Sequence, residues 1–118
     1  MKKEQEDLNR ELIEYENMEK QLEVLLIQKH QLQIQLNEIK HALDELKKAK
    51  GDVYRSVGSI LLHTTRETAE TDLKERNELI DVKLNAISKQ EEKLRTMVVD
   101  TQKRLQERMK GYAKGGAP

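Results

Sequence analysis

The sequence predicts an all-α-dominated fold with a small β-hairpin. Two long helices fold back as an antiparallel coiled-coil hairpin, and the β-hairpins of several subunits join into an oligomeric β-barrel platform. Three observations carry this reading. The first is a pair of apolar heptad stripes. One runs Tyr15, Met18, Leu22, Leu25, Lys29, Leu32, Leu36, Ile39, Leu43, Leu46, and the other Leu73, Asn77, Ile80, Leu84, Ile87, Glu91, Leu94, Val98, Thr101, Leu105. Both alternate steps of three and four, the period of a helix that buries one narrow face. The second is their symmetry. Equal distances outward from Gly58 bring Leu43 level with Leu73, Leu36 with Ile80, Leu25 with Glu91 and Met18 with Val98. The third is composition: 37% charged, 3% aromatic and a single Pro in 118 residues. Such a chain lacks the apolar mass for a thick core but suits a seam between solvated helices. Sustained heptads argue against disorder, the competing reading of so polar a chain.

Residues 1–118 read as a single domain. Helix one is expected over about residues 4–50, where Leu, Glu, Gln and Lys favour helix and neither Gly nor Pro interrupts. Lys47, Lys48 and Lys50 suit the negative end of the helix dipole, and Gly51 is a natural stop. The character then changes. Val53, Tyr54, Val57, Ile60, Leu61 and Leu62 favour strands, with Gly58-Ser59 between two runs. A β-hairpin over residues 53–64 follows, with a Gly-Ser turn that allows type II′ geometry or a loop one residue longer. Thr64-x-x-Glu67 fits a capping box. Helix two is expected over about residues 66–110, before Gly111 and a flexible tail over residues 111–118.

Much is excluded. Basic and acidic residues balance at 22 each, so no global charge draws nucleic acid or anionic lipid. Lys103, Arg104, Arg108 and Lys110 form a short basic stripe, but Asp100 and Glu107 interleave it, as on a solvated face. Cysteine is absent, which removes disulfides and thiolate metal sites. His30, His41 and His63 are scattered without carboxylates at ligand spacing, so no metal site is expected. No phosphate loop precedes a helix, and the acidic pairs sit in no cleft. No catalytic residue, cofactor or enzyme activity is expected. The longest apolar run, residues 24–27, is far too short to span a bilayer, and no signal-peptide core follows the charged N-terminus. Neither nucleic acid nor membrane is an expected partner.

The hairpin makes the strongest demand. A lone two-stranded hairpin is marginal in water, and its edges are templates for another chain. Ile60 and Leu62 point to one face and Leu61 to the other, so both faces need cover. Edge-to-edge closure of several hairpins into a barrel meets both needs. The alternative is a hairpin folded back onto its own helix ends. Within the seam, Lys29 and Glu91 are diagonal neighbours able to pair and fix the register, or Lys29 extends its stem to water.

The segment from Asp52 through Val53-Tyr54, Val57-Gly58, Leu61 and Thr64-Thr65 resembles the prefoldin (GimC) beta subunit family. So do Leu84-Asn85-Ala86-Ile87 and Gln90-Glu91. The resemblance covers nearly the whole chain. A single hairpin is similar to beta-class subunits, since alpha-class subunits carry two. The resemblance implies an ATP-independent holdase: two alpha and four beta subunits with a double β-barrel platform and six projecting coiled coils. It implies three kinds of partner: the prefoldin alpha subunit, nonnative client proteins and a group II chaperonin in the cytoplasm. Val53, Tyr54, Val57, Gly58, Ile60, Leu61 and Leu62 would then be the oligomerisation hairpin. The helix ends farthest from the hairpin would hold clients. There the apolar match degrades, with Glu11 level with Leu105 and Leu8 with Arg108. Fraying is expected to present Leu8, Leu12, Ile13, Tyr15, Met18, Met97, Val99, Leu105 and Met109, among which Met adapts to many partners. A structural coiled-coil spacer or filament subunit without clients is the other class that fits.

Overall fold

The structure, a computed structural model, describes residues 2–116, and their side chains as far as residue 111. Helix α1 spans Lys2–Lys48, strand β1 Val53–Val57, strand β2 Ile60–Thr64 and helix α2 Arg66–Gly116. The two strands form one antiparallel ladder with Val53 opposite Thr64, Arg55 opposite Leu62 and Val57 opposite Ile60. That register leaves Gly58 and Ser59 as a two-residue turn. Gly58 has φ +61°, whereas no non-glycine residue has positive φ among the described residues. Ser59 is therefore excluded from the left-handed position that type I′ needs at its second residue, in keeping with type II′.

Helix α1 stops at Lys48, two residues short of expectation. Ala49 N–H still donates to the Glu45 carbonyl at 2.8 Å, and the chain then turns through Gly51 at φ +108°. The Ala49 carbonyl accepts from the Arg66 guanidinium, which ties the end of α1 to the first turn of α2.

The cap of α2 lies one residue later than Thr64-x-x-Glu67 suggests. Thr64 is held in the β ladder opposite Val53, so Thr65 is the first residue able to turn into the helix. The Thr68 amide donates to Thr65 Oγ1 at 3.1 Å, and Ala69 N–H donates to the Thr65 carbonyl at 3.0 Å. Glu67 sits in the first turn, where the helix dipole favours a carboxylate. Thr65→Ala removes the cap oxygen, and we expect a loss of about 1 kcal/mol, read as a lower urea midpoint with unchanged slope. An unaltered midpoint would show the cap to be idle.

The tail expected over residues 111–118 is helical as far as Gly116; residues 117 and 118 lie outside the described part. Gly111 lacks a positive φ, so it does not form a left-handed stop. A helix-interior glycine costs about 1 kcal/mol, which a long helix tolerates.

The chain divides into two compact units. One comprises the described residues of Met1–Gln28 and Ile87–Pro118, the other Lys29–Ala86. In each, the heptad stripes supply most of the residues withdrawn from solvent. The first unit shelters Tyr15, Met18, Leu22 and Leu25 on α1, and Ile87, Glu91, Leu94, Val98, Thr101 and Leu105 on α2. The second shelters Lys29, Leu32, Leu36, Ile39, Leu43 and Leu46, with Leu73, Asn77, Ile80 and Leu84. No described side chain is completely buried, because a seam between two helices leaves its flanks open. Asn77 nonetheless keeps its Oδ1 out of solvent with no hydrogen-bond partner. An orphaned polar atom of this kind costs about 1–3 kcal/mol.

Candidate functional site

The hairpin stands uncovered. Tyr54, Val57, Ile60, Leu61 and Leu62 are all exposed, Leu61 to 68%, and only Val53 is half-buried. Strand alternation places Val57, Ile60 and Leu62 on one face and Tyr54 and Leu61 on the other. Both faces are thus apolar and open. The hairpin does not pack down onto its own helix ends: an open cavity of about 530 Å³ separates β1 from Leu46 and Leu73. Its local ties are polar and peripheral. Arg55 lies 3.5 Å from Asp72 on α2, and His63 Nε2 lies 3.6 Å from Asp52. Tyr54 meets His63 edge-on across the ladder, with centroids 5.4 Å apart. Exposed ion pairs of this sort are worth at most about 1 kcal/mol. They orient the hairpin and leave its apolar surface free.

The first unit holds the other candidate surface, and its side chains divide. Ile13, Met97, Val99 and Met109 are exposed, Ile13 and Met109 by more than half. Leu8, Leu12, Tyr15 and Met18 are half-buried. Leu105 departs from expectation. It is only 4% exposed, the most sheltered of the core's apolar residues, so it holds the helices together where fraying was expected to present it. The physical reason is polar. Arg108 Nη1 sits 2.8 Å from Glu11 Oε2, an ionic contact short of hydrogen-bond alignment, which closes the helices beside Leu105. Arg104 Nη2 donates to the buried Thr101 hydroxyl at 3.2 Å. By sequence alone Glu11 is a flaw in the apolar match, and Thr101 is a polar member of the stripe. Arg108, which offsets the Glu11 charge, and Arg104, which donates to Thr101, both lie outside the stripe.

The same contacts engage Arg104 and Arg108 of the short basic stripe within the chain. Deeper in the unit, the nearly buried Glu91 carboxylate accepts from Arg95 Nε at 3.0 Å. Nearby, the Glu19 carboxylate raises the Tyr15 hydroxyl above the ordinary phenol value, chiefly by accepting its hydrogen bond. Among the described residues, no group of three His, Cys, Asp or Glu is placed to hold a metal. No described helix is long and apolar enough to cross a membrane.

Two long helices joined by a strand pair that is apolar on both faces, with open backbone edges, define a coiled-coil subunit built for assembly. Known proteins agree. The prefoldin subunit family model matches residues 9–112. The chain is 35% identical over 93 residues to the prefoldin subunit beta of Pyrococcus abyssi, covering 77% of this chain and 80% of that one. It is 33% identical over 102 residues to the prefoldin subunit beta of Methanosarcina acetivorans, covering 85% and 87%. The crystal structure of the prefoldin beta subunit from Thermococcus strain KS-1 superposes with a TM-score of 0.78 at 33% identity, covering 86% and 90%. The beta2 subunit from the same strain shares the fold, with a TM-score of 0.70 at 14% identity, covering 76% and 98%. The chain belongs to the prefoldin beta subunit family, and its role is that of a molecular-chaperone subunit.

Proposed function

We propose that this chain joins a prefoldin alpha subunit in a hexamer of two alpha and four beta subunits. The hexamer holds nonnative proteins without ATP and passes them to a group II chaperonin in the cytoplasm. The observation that carries the assembly is the hairpin, whose five large apolar side chains stand in solvent on both faces. Barrel closure with neighbouring hairpins would bury those side chains and pair the strand edges together. Val53, Tyr54, Val57, Gly58, Ile60, Leu61 and Leu62 form that joint.

Clients are held at the ends of the helices remote in sequence from the hairpin. Ile13, Met97, Val99 and Met109 supply the outer apolar contacts, and Leu8, Leu12, Tyr15 and Met18 lie behind them. Leu105 contributes from within, by keeping the two helices together. Each end binds weakly, and several ends on one client raise the grip by effective concentration. Reconstitution tests this reading. With the alpha subunit, the chain should suppress aggregation of a chemically denatured enzyme on dilution. Deleting residues 1–12 and 108–118 should leave the mass of the complex otherwise intact and weaken that suppression markedly. Full suppression after the deletion rejects the ends as the client surface.

A further inference from the structure

We propose that the outer face of helix α1 is a second joint between copies of this chain, separate from the hairpin. Residues 20–38 of one copy pair antiparallel with the same residues of another. The proposal does not depend on the client reading above.

The heptad frame locates the joint. Val24, Ile27, Gln31 and Ile34 follow one another at steps of three, four and three, a stripe of their own on α1. They hold the helix positions turned away from the seam residues Leu22, Leu25, Leu32 and Leu36, where a half-buried helix ordinarily carries polar groups. Instead Val24 is 52% exposed, Ile27 57% and Ile34 45%. A single exposed apolar residue is ordinary. Three at heptad spacing on one uninterrupted helix make a face, about 15 Å long. The same outer positions turn polar beyond it, at Asn17 and Lys20 on one side and Glu38 and His41 on the other.

The order of these residues chooses the occupant. Heptad spacing calls for another helix. Equal steps outward from position 29 bring Ile27 level with Gln31, Val24 with Ile34 and Lys20 with Glu38. A second copy running the opposite way therefore meets Val24 with Ile34 twice, and Lys20 with Glu38 at both ends. Such a patch is self-complementary under a two-fold axis, the condition for a closed pair. A parallel pair would set Lys20 on Lys20 and Glu38 on Glu38. It would also bring together two stretches in which Glu16, Glu19 and Glu23 outnumber Lys20. The antiparallel order sets each acidic stretch against residues 35–42, where Glu38 and Lys40 cancel. Between the ends the pairing positions carry no charge. The two Gln31 side chains fall about one turn apart across the axis, and an amide offers both donors and an acceptor to its twin. A polar pair in an apolar seam fixes register. Three apolar side chains from each copy make a small joint, in the size range of weak and transient contacts.

The chain has no cysteine, so disulfide trapping tests the joint directly. Full-length Val24→Cys mixed with full-length Ile34→Cys should form a crosslinked pair under mild oxidation. Either variant alone should crosslink at least about five-fold less, because position 24 then stands some 15 Å of helix from its own counterpart, beyond disulfide reach. Adding Lys20→Glu to both chains turns two charge pairs into clashes and should lower the yield about ten-fold. Adding Glu38→Lys as well exchanges the charges and should restore it, with helical circular dichroism unchanged throughout. The crosslink should persist in a Leu61→Asp background, where hairpin joining is disabled. Equal yields from single and mixed variants mean a parallel or random encounter and overturn the proposal. A yield indifferent to the charge changes overturns it too, and loss of the crosslink with Leu61→Asp shows that no separate joint exists. If no crosslink forms, while Ile27→Ser weakens suppression of client aggregation by the chain with its alpha partner, the face belongs to clients and the proposal falls.

Discussion

Leu61→Asp should abolish assembly while leaving the helices folded. Leu61 is 68% exposed, so the substitution removes almost no packing within the chain, and exposed changes of this kind shift stability by about 0.5 kcal/mol or less. The joined platform is a different environment. A carboxylate on a face covered by neighbouring strands loses its water and gains no partner, a penalty of several kcal/mol for each copy. In the proposed hexamer, four copies of the beta chain would multiply it. Light scattering or native mass spectrometry of the chain with its alpha partner should show small species in place of a hexamer, with circular dichroism unaltered. A complex of full mass would mean that Leu61 stays in water and that the hairpins do not close over it. Val57→Asp, on the opposite face, should give the same result, because the proposed barrel would need cover on both sides.

Leu105→Ala should open the end of the first unit. Leucine-to-alanine changes in well-packed sites cost about 2–5 kcal/mol, and a two-helix seam, able to collapse, belongs at about 2. The loss falls close to the helix termini, so it appears as local opening before global unfolding. Amide hydrogen exchange should accelerate over residues 2–15 and 101–111, with exchange in the hairpin unchanged. Client suppression should fall with it, because the proposed client surface of Ile13, Val99 and Met109 would hold together only while the helices beneath it stay together. Unchanged exchange at the ends would show that the Glu11–Arg108 contact alone holds them closed. Stronger suppression would show that the frayed state is the working one.

Most of the fold was legible because it rests on periodicity. A period of 3.5 over ten positions in each half leaves little choice of face, and the sheltered residues follow both stripes, including the polar Lys29, Asn77, Glu91 and Thr101. The hairpin register was legible because Gly58-Ser59 admits few turn types. What escaped the sequence was settled by competition between neighbours. Thr64 and Thr65 are equally good caps by type, and the β ladder occupies the first, leaving the second. Gly111 resembles a stop, yet a glycine ends a helix only where the chain adopts a left-handed turn, and composition does not report that. The ends escaped for another reason. Pattern matching scores Glu11 opposite Leu105 as a mismatch, whereas Arg108 reaches Glu11 from one turn beyond. The second stripe on α1 was readable in principle, since Val24, Ile27, Gln31 and Ile34 stand in the sequence at heptad spacing.

The absence of any fully buried side chain along the seam has a mechanical consequence. Cohesion is spread over many shallow contacts, each worth little, with no central knot whose rupture releases the rest. Traction on a helix end would therefore be met by gradual yielding, turn by turn, and by re-closure when the load is removed. Such a pair would serve the proposed client-holding role as a soft clamp, compliant enough to follow a bulky and irregular object and elastic enough to recover its shape when the object leaves.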